Sequence, residues 1–152
     1  MRLQTRIPPP VYALLSASLM WGLDHYWPIL HWLSAPWHWG GLVIIALALS
    51  LDIGSLSLFW RARTTVNPLQ PENSRHLVTN GLYQYTRNPM YVGMLIMLLG
   101  WWVFLGSLSP GLLLPLFIWV LTEMQIKPEE RALQEKFGQA YVDYSAKVRR
   151  WL

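Results

Sequence analysis

The sequence predicts an all-α integral membrane protein: four transmembrane helices, the third and fourth forming a helical hairpin, followed by a C-terminal amphipathic helix. Three observations predict it. Just over half of the 152 residues are apolar and only 13% are charged, well below the roughly one-quarter usual in soluble domains. The apolar residues fall in blocks, and ~20 residues at ~1.5 Å each cross a ~30 Å hydrocarbon core. Ten tryptophans and seven tyrosines are the residue types that collect at membrane–water boundaries.

The first block, residues 11–33, follows a Pro8–Pro10 run that holds its entry extended, and carries Asp24, His25 and Pro28 towards its far end. No clean small-x-small cleavage site follows it, so it reads as a retained helix and not a signal peptide. The second block, residues 39–60, contains one acid, Asp52. The third, residues 89–106, turns through GSLSP (106–110) into the fourth, residues 110–127. One domain over residues 1–152 accommodates all of this.

All twelve basic residues lie at the start, in the central loop 61–88, or from Lys127 onwards, and the connections 34–38 and 106–110 have none. Four spans with both termini and the 61–88 loop in the cytoplasm then satisfy the positive-inside rule. The net charge of +4 is therefore topological, which argues against nucleic acid as a partner. The lack of cysteine excludes disulfides, thiolate metal sites and cysteine nucleophiles.

The central loop, residues 61–88, is the one sizeable polar segment before the tail, and loops of that length tend to be functional. Asn67-Pro68, Gln70-Pro71 and Thr79-Asn80-Gly81 mark turns, with Gly81 free to take positive φ. At the loop's end, Asn88 is suited to cap the third helix with its side chain and Pro89 to occupy its first position. Arg87, Tyr83, Tyr85 and Tyr91 exceed what a helix start requires.

Residues 128–150 read as the amphipathic helix, with Leu133, Phe137, Tyr141, Tyr144 and Val148 at spacings of three and four. Pro128 suits its first turn, and Glu129 and Glu130 suit its positive N-terminal dipole. Gly138 weakens it by ~1 kcal/mol and marks a break or close contact. Arg149, Arg150 and Trp151 read as a headgroup anchor. The hairpin makes the cytoplasmic ends of its two helices neighbours, so Arg87, Asn88 and Tyr91 are expected to face Glu129 and Glu130 across a cleft.

The run HLVTNGLYQYTRNPMYVG (76–93), followed after one helical hairpin by EERALQEKFGQAYVDY (129–144), resembles the isoprenylcysteine carboxyl methyltransferase family. The related phospholipid methyltransferases share parts of the pattern. Its elements are H-x-L-V or a close variant, G-x-Y and R-H-P-x-Y-x-G, then E-E-x-x-L with F-G-x-x-Y-x-x-Y. The earlier TTVNP (64–68) is similar to bacterial members, which implies the cytoplasmic membrane of a bacterium.

The resemblance implies an integral membrane enzyme that moves a methyl group from S-adenosylmethionine to a lipid or amphiphilic acceptor at the cytoplasmic face. S-adenosylhomocysteine is the implied product. By matching positions, the cofactor contacts would come from His76, Leu77, Val78, Gly81, Tyr83, Asn88, Pro89, Met90, Tyr91 and Glu129. Arg87 and Glu130 are the implied catalytic pair, and Gln125 is the implied substrate-side residue. Tyrosine faces favour a sulfonium, and a glutamate can hold the cofactor's ammonium or ribose hydroxyls. Methyl transfer is an in-line displacement served by proximity and orientation, and no metal is expected.

Two departures from the pattern stand out. Asn88 replaces the histidine of R-H-P. Gln125 occupies the place, one helical turn before Glu-Glu, where prenylcysteine enzymes carry an arginine suited to an acceptor carboxylate. The acceptor thus remains either a carboxylate of a lipidated or isoprenoid-like molecule or a lipid amine. Asp24, Asp52 and Glu123 lie in or near apolar blocks, where a central charge costs at least ~2.5 kcal/mol. They leave open an alternative, a small transporter or non-catalytic scaffold on the same fold.

Overall fold

The computed structural model describes residues 7–61 and 77–152, with side chains throughout except at 51 and 55–61. Among the described residues all regular structure is helical, joined by two isolated bridges. Helix α1 (Pro9–Tyr26) starts on its prolines, with Pro8 extended at φ −58°, ψ 135°. It ends seven residues short of the expected 33. Pro28 lacks an N–H and biases Trp27 out of the helical region. The following residues instead pair with the turn after the third helix. The amides of Trp32 and Leu33 donate to the Gly106 carbonyl, and that of Leu108 donates to Ile29.

Helix α2 (Gly40–Arg61) and helix α3 (Pro89–Leu105) match the expected second and third blocks to within one residue. Their packing is the tightest in the fold. A Cβ at Gly41 would lie 2.3 Å from the Gly100 carbonyl oxygen, and one at Gly100 would meet Gly41 and Ile45. Further along the seam, a Cβ at Gly93 would lie 1.9 Å from Asp52 Oδ1. The paired numbers rise in α2 as they fall in α3, so the two helices are antiparallel. The expected close pairing of the third and fourth helices is secondary to this one.

Gly106 ends α3 at φ +82°, and any Cβ there would meet the Leu33 carbonyl at 2.5 Å. After a 3₁₀ turn at Ser109–Leu112 comes α4 (Leu113–Leu121), then a π-helical turn over Thr122–Ile126, then α5 (Lys127–Phe137). The helix runs without interruption across the expected span boundary at 127 into Glu129-Glu130. A proline inside an α-helix removes one bond and crowds the carbonyl four residues back. The wide turn immediately before Pro128 relaxes that crowding. The expected single C-terminal helix is two: Gly138, at φ +54°, separates α5 from α6 (Gln139–Lys147), and Val148 is extended.

Two helices are long and apolar enough to cross a bilayer, Trp37–Gly54 and Ser109–Phe137, and Pro89–Leu105 is a shorter apolar helix. Only 12% of the first window is buried, and Val43, Leu47 and Ile53 are each at least 60% exposed. A core helix of a soluble protein would hide them, so these faces suit lipid. The core lies between α1, α3 and α4, where Met20, Tyr91, Met94, Leu98, Leu114, Phe117, Leu121 and Ile126 form one cluster.

Because the Gly100 contact is with backbone, no side-chain rotation can relieve a larger residue. Gly100→Leu is expected to destabilise by about 2 kcal/mol or more, whereas Gly22→Leu, with nothing within 4 Å of its Cβ, is expected not to destabilise. Thermal unfolding in detergent checks this, and equal melting temperatures would refute the seam.

Candidate active site

Asn88 and Pro89 open α3 as the sequence indicates, but Asn88 does not cap with its side chain. Its backbone carbonyl accepts from the Tyr91 and Val92 amides, while its Nδ2 donates to the Arg150 carbonyl at 2.9 Å. The hydroxyl of the buried Thr86 accepts the Asn88 amide at 3.1 Å and also donates to the Arg150 carbonyl at 3.2 Å. The Arg87 amide donates to the Arg149 carbonyl at 2.9 Å. Residues 149–150 thus lie along 86–88 as a strap.

The strap turns Arg150 inwards, away from the headgroup-anchoring role its sequence suggests. Its Nε and NH2 groups donate to the two Glu130 carboxylate oxygens at 3.0 and 2.6 Å. Arg87 reaches the same carboxylate at 3.2 Å, with side chains only 14% and 15% exposed. A guanidinium fork on a carboxylate is the strongest form of such a pair, and the Glu130 contact raises the Arg150 pKa. Trp151 adds a further tie, donating its indole N–H to Thr122 in the π turn at 3.2 Å. Thr122 in turn donates to the Ile118 carbonyl at 2.7 Å.

Glu129, one residue earlier, has a different environment. The Tyr91 hydroxyl donates to its Oε1 at 2.6 Å, and among the described residues no cation pairs with it. It lies past Lys127, where the apolar run has ended. Burial pushes its carboxyl up to about 8, the Tyr91 hydrogen bond pulls it down, and neighbouring Glu130 pushes it up again. Tyr83 is buried in a 3₁₀ turn, Gly81–Gln84, that opens on Gly81 at φ +62°. The Tyr83 carbonyl accepts from the Tyr144 hydroxyl at 2.7 Å, fixing the turn to α6. Burial raises the Tyr83 hydroxyl pKa, and Tyr144, Glu129 and Asp52 each raise it further. Buried Tyr141, between Glu130 and the two arginines, is pushed up to about 12, chiefly by burial.

Of the residues singled out in the sequence, the structure gathers Arg87, Asn88, Tyr91, Glu129 and Glu130, with Tyr83 beside them. Leu77 is half-buried and Val78 buried at the approach to the Tyr83 turn, and Pro89 and Met90 form the first turn of α3. His76 lies outside the described residues. Gln125 is fully buried in the π turn. Its amide donates to the Ile7 carbonyl at 2.7 Å, and its Oε1 has no partner among the described residues. Sequence reasoning missed Arg150, Thr86 and Trp151 as parts of this assembly. The signal was the RRW run (149–151), whose fold-back on residues 86–88 has no local periodicity to reveal it.

Helices that converge on one acidic pair, with tyrosines and a polar strap at their mouth, define a membrane-type scaffold with its polar chemistry at one end. The chain belongs to the phospholipid methyltransferase family, whose model matches residues 36–140. It is 42% identical over 77 residues to a protein-S-isoprenylcysteine O-methyltransferase of Schizosaccharomyces pombe, covering 50% of this chain and 33% of that one. It is 30% identical over 141 residues to protein-S-isoprenylcysteine O-methyltransferase B of Arabidopsis thaliana, covering 90% and 71%. To the Rattus norvegicus protein-S-isoprenylcysteine O-methyltransferase it is 30% identical over 142 residues, covering 90% and 48%. The chain thus spans from a third to about seven-tenths of the length of these relatives.

The Glu130 node makes a direct prediction. A double-mutant cycle with Glu130→Gln and Arg150→Met, read by thermal unfolding, is expected to give a coupling of about 1–2 kcal/mol, discounted for the partial exposure of Arg150. Additive effects would show that the strap is not held by this pair.

Proposed function

We propose that this chain transfers a methyl group from S-adenosylmethionine to an amphiphilic acceptor that arrives from the bilayer, with the polar mouth of the helices as the site. The observation that carries this reading is the asymmetry of two adjacent glutamates. Glu130 is neutralised by two arginines, whereas Glu129 is partly buried, oriented by Tyr91 and without a cation among the described residues. A cationic ligand that also offers hydroxyls fits that vacancy in charge. The ammonium and ribose of S-adenosylmethionine are such groups, and family membership supplies the reaction class.

In this reading Glu129 accepts the donor's ammonium or ribose hydroxyls, and Tyr91 holds that carboxylate in place. Tyr83, Leu77, Val78, Gly81, Pro89 and Met90 offer ring and backbone surface for the adenine, together with His76 from the loop. Asn88 acts through the strap, because its amide is engaged by the Arg150 carbonyl. Arg87 and Glu130 hold each other and Arg150, so they position the site's walls. Bound there, the donor would supply an electrophilic methyl carbon. The residues' part is to bind, orient and exclude water. The acceptor is a carboxylate of a lipidated molecule, as the relatives' names suggest, or a lipid amine. Gln125, matched by the family pattern to the acceptor side, is fully buried with its amide on the Ile7 carbonyl, so in this reading it shapes that side from behind and does not touch the acceptor.

The charge distribution supports four spans with the termini and the 61–88 loop on the cytoplasmic side, and the resemblance of TTVNP (64–68) to bacterial members supports a bacterial inner membrane. Helix α1 counts as the fourth span in this topology. Its leucines Leu14, Leu15 and Leu19 are each more than half exposed, as a lipid-facing helix requires.

Calorimetric titration of S-adenosylhomocysteine into detergent-solubilised protein is expected to show saturable binding. Glu129→Ala is expected to lose it, and Tyr91→Phe to weaken it by about tenfold, the equivalent of one charge-assisted hydrogen bond. No binding by the folded native protein at millimolar ligand would refute the assignment. Transfer of a labelled methyl group into membrane lipids then identifies the acceptor as base-labile ester or as stable amine.

The raised Glu129 pKa gives that binding a pH dependence. Holding a cation requires the ionised carboxylate, and the ionised fraction grows as pH rises towards its pKa of about 8. Affinity for S-adenosylhomocysteine is therefore expected to increase between pH ~6 and ~8, with Glu129→Gln giving a flat profile. A native profile that is flat or falls with pH would remove Glu129 from the role.

A further inference from the structure

Asp52 has no part in the site as described so far, yet its position is unusual. It projects from α2 into the seam with α3, directly over Gly93, where even a methyl group would collide with its carboxylate. Gly93 is four residues after Pro89, so by helix rise Asp52 stands beside α3 only ~6 Å in from its start. Measured against α3 it is near the mouth, not at mid-bilayer. Its Oδ1 is buried and has no hydrogen-bond partner among the described residues, and a buried carboxylate oxygen left unpaired is destabilising. Around it, α2 packs on α3 and touches the Gly81–Gln84 turn. The Asp52 and Glu129 carboxylates both raise the pKa of Tyr83 in that turn.

The acids near the mouth therefore divide into two kinds. Glu130 is matched by Arg87 and Arg150, and Glu123 is paired with Lys127. Glu129 and Asp52 have no basic partner among the described residues, and they approach the Tyr83 turn from α5 and from α2. The methyl donor of the reaction carries two separate cationic centres, the ammonium of its amino-acid end and the sulfonium.

We propose that Asp52 is the counter-ion for an onium centre bound on the α2 side of the cleft, either the donor's sulfonium or the ammonium of an acceptor amine. This rests on the donor-site reading above and adds a residue to it. A glycine at 93 is what makes room for the carboxylate there. Loss of the methyl group turns the sulfonium into a neutral thioether, so a carboxylate facing it favours substrate over product and assists product release. If the ammonium of an acceptor is the partner, the same carboxylate receives the proton that the nitrogen loses. The nitrogen–carbon bond then forms as the carbon–sulfur bond breaks.

The test is Asp52→Asn, which keeps the shape over Gly93, with Asp52→Ser as a second variant. S-adenosylhomocysteine, a neutral thioether, serves as the folding and site control. S-adenosylmethionine and a long-chain alkylamine serve as the onium probes. Both variants are expected to bind S-adenosylhomocysteine as the native protein does, and to lose about tenfold or more in affinity for an onium probe. Loss confined to S-adenosylmethionine assigns the site to the sulfonium, and loss confined to the alkylamine assigns it to the acceptor. Native affinity for both probes in either folded variant would overturn the proposal. Failure of the native protein to bind S-adenosylhomocysteine at all would instead sink the donor-site reading, and this inference with it.

Discussion

The structure depends most on one carboxylate. Glu130 receives the fork of Arg150 from the C-terminal strap and the guanidinium of Arg87 from the entry to α3. Three stretches of chain distant in sequence therefore meet at one charge. In open water such pairs would contribute little. Here the acid is only 15% exposed, so removing any partner strands a charge that solvent reaches poorly. The strap in turn fixes Thr86 and Asn88 through the Arg149 and Arg150 carbonyls. That fixes where α3 begins, and hence where Tyr91 presents its hydroxyl to Glu129.

The second constraint is steric and lies in the membrane-facing part. Helices in lipid gain little from burying apolar surface, and they associate through close backbone approach at small residues. Gly41, Gly93 and Gly100 allow α2 to lie against α3 along its length. The polar end would have no stable platform without that seam. The cluster of Met20, Met94, Leu98, Phe117 and Leu121 then sets α1 and α4 on the other side of α3.

Much of this was legible in the sequence, and the legible parts share a physical reason. Apolar runs, prolines at helix starts and Gly106 and Gly138 as helix ends are local signals, and the boundaries of α2 and α3 came within a residue. The motif around Arg87–Tyr91 and Glu129–Glu130 pointed to the right neighbourhood because adjacent helix ends must meet. What was not legible is tertiary. Pro28 marked the end of α1, but its signal was outweighed by the apolar residues beyond it. The tail's fold-back rests on backbone carbonyls, which carry no sequence identity. Asn88, the departure from the pattern, proved to serve the strap rather than the helix cap. The wide turn at Thr122–Ile126 has no periodicity of its own to reveal it.

That wide turn has a consequence for how the family can diversify. A π turn holds one residue more than an α turn, and each residue advances a helix by ~100°. Everything C-terminal to it, including both glutamates, is therefore rotated relative to α4 by that increment. Because the wide turn absorbs one residue, losing one there would leave the acids facing nearly as they do, whereas regularising it to α geometry at constant length would swing the acidic pair about the axis by that angle. The carboxylate now facing Tyr91 would move away from it, while the apolar anchor of the helix stayed in place. Winding or unwinding this turn is thus a way to re-aim the acids without redesigning the bundle that carries them.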